Sequence, residues 1–183
     1  FKSVKNPTIC ASTIDKYIGY LKDSFLISKA ERYDVKGKKY ISTPYKLYFE
    51  DTGLRNARLN FRQIEETHLM ENIIYNELRY RGYNVDVGVV ELREKTDEGK
   101  DIRKQVEIDF VANQGSKRYY IQSAYNIPDE EKWEQETRPF DKTNDSFKKI
   151  VIVEKSMKPR RDDKGYVMIG IKEFLLNNDS LDI

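Results

Sequence analysis

The run QVEIDFVANQGSKRYYIQSAY, residues 105–125, decides how the rest of the chain is read. Side chains of a strand alternate between two faces. Val106, Ile108 and Phe110 therefore share one face, and Glu107, Asp109 and Val111 share the other. After a short loop centred on Gly115, Tyr119, Ile121, Ser123 and Tyr125 alternate against Tyr120, Gln122 and Ala124. A connection of this length joins antiparallel neighbours. Two acids thus stand together on one strand of a hairpin, and Gln122 and Ala124 stand together on its partner.

Upstream, residues 62–81 hold the longest helical pattern, closed by Gly82, a residue suited to the left-handed conformation that ends helices. Met70, Ile74 and Leu78 form its apolar stripe, and at about 100° per residue Glu71 projects within about 20° of Leu78. A carboxylate at the edge of a core needs a metal, a basic partner or backbone donors, because burying it alone costs several kcal/mol. The alternative is a carboxylate at the margin of the stripe that reaches solvent.

Further strands are expected at 84–91, 149–154 and 165–171, with a closing helix at 172–177. Residues 128–144 are polar but keep Trp133 and Phe140, the pattern of a docked amphipathic helix. The mostly charged run at 93–104 reads as a solvated hairpin tip. Towards the start, Ile14, Ile18, Leu21 and Phe25 mark a helix that Ser12 can cap. Two short strands at 30–35 and 38–41 follow around a Lys36-Gly37 turn. Beyond them Tyr45, Leu47 and Phe49 alternate against Lys46, Tyr48 and Glu50, and Asp51 can cap a short turn through Gly53. Helix followed by hairpin matches the second half of a winged helix. A boundary is expected near Asn60, giving a partial winged-helix segment at 1–60 and a second domain at 61–183.

Composition limits the chemistry. The 183 residues carry 33 basic and 31 acidic side chains, a net charge of +2, so local patches and not the whole-molecule field must identify a polyanionic partner. One cysteine, Cys10, excludes an internal disulfide, and one histidine, His68, excludes a histidine-built zinc cage. Metal chemistry would need carboxylates, which favour Mg²⁺, Mn²⁺ or Ca²⁺. No stretch approaches the roughly 20 apolar residues of a membrane span, and a cytoplasmic location is expected. The chain begins at Phe1 within a continuing pattern, which reads as part of a longer protein.

A helix bearing Glu, a strand bearing Asp and a strand bearing Glu or Gln, any residue, then Lys resembles the restriction-endonuclease-like PD-(D/E)XK pattern. The fold expected is α/β of the α+β kind, a mixed sheet flanked by helices. By this resemblance Asp109 is the central metal ligand, Glu71 the helix acid and Gln122 the second-strand ligand of a degenerate Mg²⁺ site. Ala124 stands where the catalytic lysine belongs. Such a lysine helps to position the attacking water and offsets phosphate charge, so cleavage is expected to be disabled unless Lys117 or Lys104 is displaced into the role.

Taken together, Lys46-Leu47-Tyr48, Asp51-Thr52-Gly53-Leu54-Arg55, Glu71-Asn72, Glu107-Ile108-Asp109-Phe110-Val111, Tyr120-Ile121-Gln122-Ser123-Ala124-Tyr125 and Glu136-Thr137-Arg138 resemble the carboxy-terminal portion of a family of bacterial and archaeal AAA-type ATPases. In that family a P-loop ATPase precedes a winged helix and a nuclease-like domain of undefined role. This chain has no Walker A loop, so the resemblance implies that ATP is bound only in the preceding ATPase domain.

Three expectations follow. The first is a non-cleaving module that binds nucleic acid, with Lys36, Lys38, Lys39 and Arg32 of the hairpin contacting DNA phosphates, or that binds a protein partner such as its own ATPase domain. The second is an active Mg²⁺-dependent nuclease with a displaced lysine. The third is a structural surface for homo-oligomerisation. His68, Arg138 and the basic tip Lys158, Arg160 and Arg161 are weaker candidates that ordinary surface pairing explains as well, and Cys10 is assigned no role.

Overall fold

The computed structural model describes residues 10–62, 65–95 and 101–183. Residues 96–100 of the charged run lie outside the described residues.

The arrangement is mixed α/β: five α-helices and, among the described residues, one eight-stranded sheet. The strands are β1 (Ile27–Asp34), β2 (Lys39–Phe49), β3 (Asn84–Lys95), β4 (Asp101–Gln114), β5 (Lys117–Ala124), β6 (Lys148–Val153), β7 (Arg160–Arg161) and β8 (Val167–Gly170). Their order across the sheet is β2-β1-β3-β4-β5-β6-β8-β7. The pairs β1/β3, β5/β6 and β6/β8 are parallel and the others antiparallel. The helices are α1 (Ala11–Asp23), α2 (Thr52–Arg58), α3 (Glu66–Tyr80), α4 (Glu130–Thr137) and α5 (Ile171–Leu176).

The boundary expected near Asn60 does not divide this sheet. Strand β1 hydrogen-bonds in parallel to β3, with Arg32 opposite Val87 and Asp34 opposite Val89. The hairpin read as the wing of a separate module is thus the edge of the sheet that carries Asp109. The two stretches read separately at 38–41 and 44–50 are one strand, β2, whose pairing with β1 skips from Ile41 to Lys46 around Pro44. Proline cannot donate to a ladder and is tolerated on an edge strand such as this one. The charged run expected as a solvated hairpin tip lies at the β3 to β4 hairpin, and its ends are ladder, with Arg93 opposite Arg103 and Lys95 opposite Asp101.

Two apolar layers cover the sheet. On one face, α3 and α5 bury Met70, Ile74, Tyr75, Leu78 and Phe174 against Phe110, Ile121, Ile150 and Ile152. On the other, α4 and the turn after it bury Trp133 and Phe140 against Ile108, Val111, Tyr120, Ala124, Val151 and Val153. The helical stripe of α3 and the docked Trp133 and Phe140 therefore sit where their periodicity places them. Gly82, at φ +84°, ends α3 as its left-handed residue, and the Tyr83 N–H returns to the Leu78 carbonyl at 3.0 Å. Helix α1 contributes no buried residue and leaves Tyr17 and Tyr20 exposed; Phe25, expected on its apolar stripe, lies beyond its end at φ +55° and is exposed as well. It starts one residue after Cys10, and Ser12 lies inside it and does not cap it.

One departure from regular alternation shapes the site. Asp86 pairs with Val111 and Gly88 with Ile108, so β4 spends three residues where β3 spends two. This β-bulge at Asp109 and Phe110 puts Val111 on the face of Ile108, and Phe110 on the face of α3. The expected grouping of Val111 with Glu107 and Asp109, and of Phe110 with Ile108, is thereby reversed. Gly88 is required opposite the bulge, since a Cβ there would lie 2.8 Å from Val111 Cγ2 and 2.9 Å from Ile108 Cβ.

Candidate functional site

Helix α3 places Glu71 one turn before Tyr75 and on the side turned towards strand β2. Asn72 fixes the relation between these two elements, accepting from the Phe49 N–H at 3.0 Å and donating to the Phe49 carbonyl at 2.8 Å. Asn76 adds donations to the carbonyls of Phe49 and Glu50 at 3.0 Å each. With β2 so held, Tyr48 stacks on Tyr75 at a ring separation of 4.1 Å and donates its hydroxyl to Glu71 Oε1 at 2.7 Å. Burial and the adjacent Glu71 carboxylate push the Tyr48 hydroxyl far above its ordinary range, so it stays protonated as a donor.

Two residues before Tyr48, and so on the same face of β2, lies Lys46. Its ammonium is 2.8 Å from Glu71 Oε1, 2.6 Å from Glu107 Oε1 and 3.5 Å from Asp109 Oδ1. The three N–H donors of a lysine meet three carboxylates carried by two other elements. Burial opposes the charged ammonium, but Asp109 and Glu71 outweigh it and hold Lys46 above its ordinary value. Arg32 of β1 pairs with the second oxygen of Glu107 at 2.6 Å. It was expected among the phosphate-contacting residues of the hairpin; its charge is engaged inside the sheet.

Asp109 occupies the point where β4 and β5 part, after the last ladder pair of Phe110 with Ile121. Its Oδ2 accepts from the Ser123 N–H at 2.9 Å, and its own N–H donates to Gln122 Oε1 at 3.3 Å. The two strands thus exchange side-chain-to-backbone bonds where main-chain pairing stops. Burial, with the Glu71 charge beside it, pushes the Asp109 carboxyl up to about 7, although Lys46 acts in the opposite direction.

Of the three expected ligands, Glu71 and Asp109 come together around Lys46. Gln122 does not join them: it lies on the face of Tyr120 and Ala124, and its amide nitrogen reaches Glu136 Oε2 of α4 at 3.4 Å. Ala124 is packed among Trp133, Val151 and Val153 and is 4% exposed. Lys117 pairs with Asp182 at 2.7 Å at the far end of β5, and Lys104 is exposed on β4, so neither approaches Asp109. Lysine at the site comes from β2 and not from the strand that carries Gln122 and Ala124.

The residues present do not fit a divalent metal alongside Lys46. Its ammonium takes an oxygen from each of Glu71, Glu107 and Asp109, and Gln122 Oε1 is engaged by the Asp109 N–H. Among the described residues, no group of three or more His, Cys, Asp or Glu side chains is arranged to hold a metal ion. A cleft of about 360 Å³ opens beside Lys46 and Glu71, lined also by Arg55 and His68. His68 is 65% exposed and pairs with Glu65 at 2.7 Å.

Residues 2–65 match a family described as a domain of unknown function (DUF8612). An uncharacterised protein of Haemophilus influenzae is 34% identical over 164 residues, which are 90% of this chain and 37% of that protein. The chain thus spans a little over a third of the length of the curated relative it matches. No solved structure gives a significant match. Lys46 and Tyr48 fall inside the matched domain, whereas Glu71, Glu107 and Asp109 fall beyond it. The cluster is assembled across the end of the family match.

A second surface lies at the turns. Val35 to Lys38 joins β1 to β2, and Gly115-Ser116 joins β4 to β5. Between these turns is a cleft of about 570 Å³ lined by Tyr33, Lys36, Lys38, Lys117, Arg118 and Phe147, among others. The Arg118 guanidinium is held between the Tyr33 and Phe147 rings, 5.2 Å from each centroid. Lys36 and Lys38 are exposed and take part in none of the ion pairs among the described residues. Lys39 is exposed at the start of β2, opposite Asp34 and outside this cleft. The second basic tip is the short β7, where Arg161 donates to the Ile183 carbonyl at 2.8 Å. Arg138 is the C-cap of α4. Among the described residues no helix is long and apolar enough to cross a membrane.

Proposed function

We propose that the chain is a nuclease-like, non-cleaving module of an AAA-type ATPase and that it binds nucleic acid in the cytoplasm. The observation that carries this reading is the packing of Ala124: the position where the motif requires a charged lysine is filled by a methyl group within an apolar layer, on the face away from Glu71. The acids are present, but the lysine that the motif would place on the second strand is not, and the Lys46 ammonium among them is taken up by the carboxylates themselves. Binding is supported by the basic cleft, whose lining includes the exposed Lys36 and Lys38 and an Arg118 set against two aromatic rings. Cations interleaved with aromatic faces suit a phosphate backbone with unstacked bases. The ATPase attribution rests on the sequence resemblance, and ATP would be bound and hydrolysed outside this chain.

The test is anisotropy of labelled single- and double-stranded DNA over a salt series. Affinity should fall with salt, and Lys36→Glu with Lys38→Glu should weaken binding and reduce the logarithmic slope by roughly 2 if each lysine meets one phosphate. No binding at low salt overturns the reading.

A second reading, an active Mg²⁺-dependent nuclease with a displaced lysine, is favoured by one observation: Lys46 contacts both Glu71 and Asp109. Incubation with DNA and RNA in Mn²⁺ decides between them. Cutting that disappears in Asp109→Ala and in Lys46→Ala establishes the nuclease; cutting that persists in both marks a contaminant.

A further inference from the structure

We propose that the Lys46 ammonium is the resident cation of the acidic pocket and keeps divalent metal ions out of it. Glu71 from α3 and Glu107 and Asp109 from β4 converge on one nitrogen, at 2.8, 2.6 and 3.5 Å. Oxygens that would close to about 2.0 to 2.1 Å around Mg²⁺ are held further apart by an ammonium that donates to each of them. A metal entering the same point would meet Nζ within the first coordination shell, and two cations cannot share that position.

The ammonium is not a passing surface charge. Lys46 is paired through its backbone with Ala30 of β1. Two residues on, Tyr48 is stacked on Tyr75, and Phe49 is bound at both polar atoms by Asn72. Displacing the side chain would leave three neighbouring carboxylates with Arg32, on one oxygen of Glu107, as their counter-charge among the described residues. Buried like charges without a partner are costly, so the pocket retains lysine in preference to a weakly held hydrated ion.

The inference stands on this side-chain geometry and does not depend on nucleic-acid binding. Its corollary is that the metal site is latent: removing one ammonium exposes Glu71 and Asp109 to a cation.

The full chain is titrated with Mn²⁺ and free Mn²⁺ is read by electron paramagnetic resonance, for wild type, Lys46→Gln, and Lys46→Gln combined with Asp109→Asn. Wild type should show no saturable site. Lys46→Gln should bind Mn²⁺, and the added Asp109→Asn, which takes away one of the carboxylates facing the ion, should weaken that binding by at least about 10-fold, the lower end of the loss for a ligand's outer partner. Should Lys46→Gln fail to fold, Lys46→Gln with Glu107→Gln takes its place, since it removes one charge of each sign and leaves Glu71 and Asp109. Saturable Mn²⁺ binding by wild type that Asp109→Asn abolishes overturns the proposal, as does the absence of binding in every Lys46 variant. Wild type that binds Mn²⁺ without cutting DNA fails this inference alone, whereas wild type that binds neither metal nor DNA fails only the nucleic-acid reading.

Discussion

The side chain of Asn72 is bonded to both polar atoms of the Phe49 main chain, so helix α3 reads strand β2 as a neighbouring strand would. Asn72 is 4% exposed, and its amide has no water to return to if the pairing is lost. A buried group left unsatisfied costs about 1 to 3 kcal/mol. Asn72→Ala leaves the Phe49 N–H without its acceptor and is expected to destabilise the fold by about 2 to 4 kcal/mol, measured by urea unfolding. Asn76→Ala should cost less, because Asn72 still holds Phe49.

Lys46→Met should also destabilise, because it removes the partner of three acids while keeping the aliphatic stem. Breaking a fully buried pair costs about 3 to 5 kcal/mol. Lys46 is 27% exposed, and solvent screening lowers the expected loss to about 1 to 3 kcal/mol. The variant should recover part of this loss when the pH is lowered and the acids are protonated. A loss independent of pH would show that packing and not charge is responsible.

The Asp109 carboxyl sets a pH dependence of opposite sense to a surface salt bridge. An unfolded aspartate ionises near about 3.9, whereas burial and the Glu71 charge push Asp109 up to about 7. Between these values the native chain keeps a proton that the unfolded chain has released, so its stabilising contribution is complete below about pH 4 and is lost as pH rises to 7. Wild type should therefore lose on the order of 1 to 4 kcal/mol relative to Asp109→Asn across that window. Urea midpoints at about pH 4.5 and 7.5 measure the difference.

Gly88 faces the bulge that turns Asp109 towards α3. Gly88→Ala puts a Cβ 2.8 Å from Val111 Cγ2 and 2.9 Å from Ile108 Cβ. Overpacking of this kind costs about 1 to 3 kcal/mol, visible as a lowered thermal midpoint. A neutral Gly88→Ala would mean that the bulge yields without strain.

Cys10 has neighbours that its sequence surroundings do not reveal as activating. Hydrogen bonds from the hydroxyls of Ser12 and Thr13 lower the thiol to about 7. Alkylation of the exposed thiol by iodoacetamide should reach half its maximal rate near pH 7, and Ser12→Ala should move that midpoint upward.

How much of this was legible in the chain depends on what set each feature. Met70, Ile74 and Leu78 at helical spacing announce α3 and its buried face, because one stripe of a helix must meet a core and does so here. Gly82 announces its end, since a left-handed residue is needed there. The hairpin from β4 to β5 follows from alternation and Gly115. Lys46 was not legible as a site residue. In the strand Tyr45 to Glu50, the more apolar set Tyr45, Leu47 and Phe49 would be taken as the core face, yet Tyr48 is buried and Leu47 is 41% exposed. Acids on other elements make the inward position of Lys46 favourable, and no local pattern carries that information.

Gln122 stands apart from Glu71 for a similar reason. Alternation placed it correctly beside Ala124, but whether that face meets Glu71 depends on the bulge in β4 and on which helix covers which side. Local periodicity alone determined α3, the β4 to β5 hairpin and the placing of Glu107 with Asp109 on one face, because each follows from spacings of a few residues. Only the tertiary structure decided that the first hairpin joins the same sheet, that the face away from α3 takes Gln122 and Ala124, and that a lysine from β2 stands between Glu71 and Asp109. Those are relations between charges and faces far apart in the chain, and they exist only once burial has brought a cation and three carboxylates out of water together.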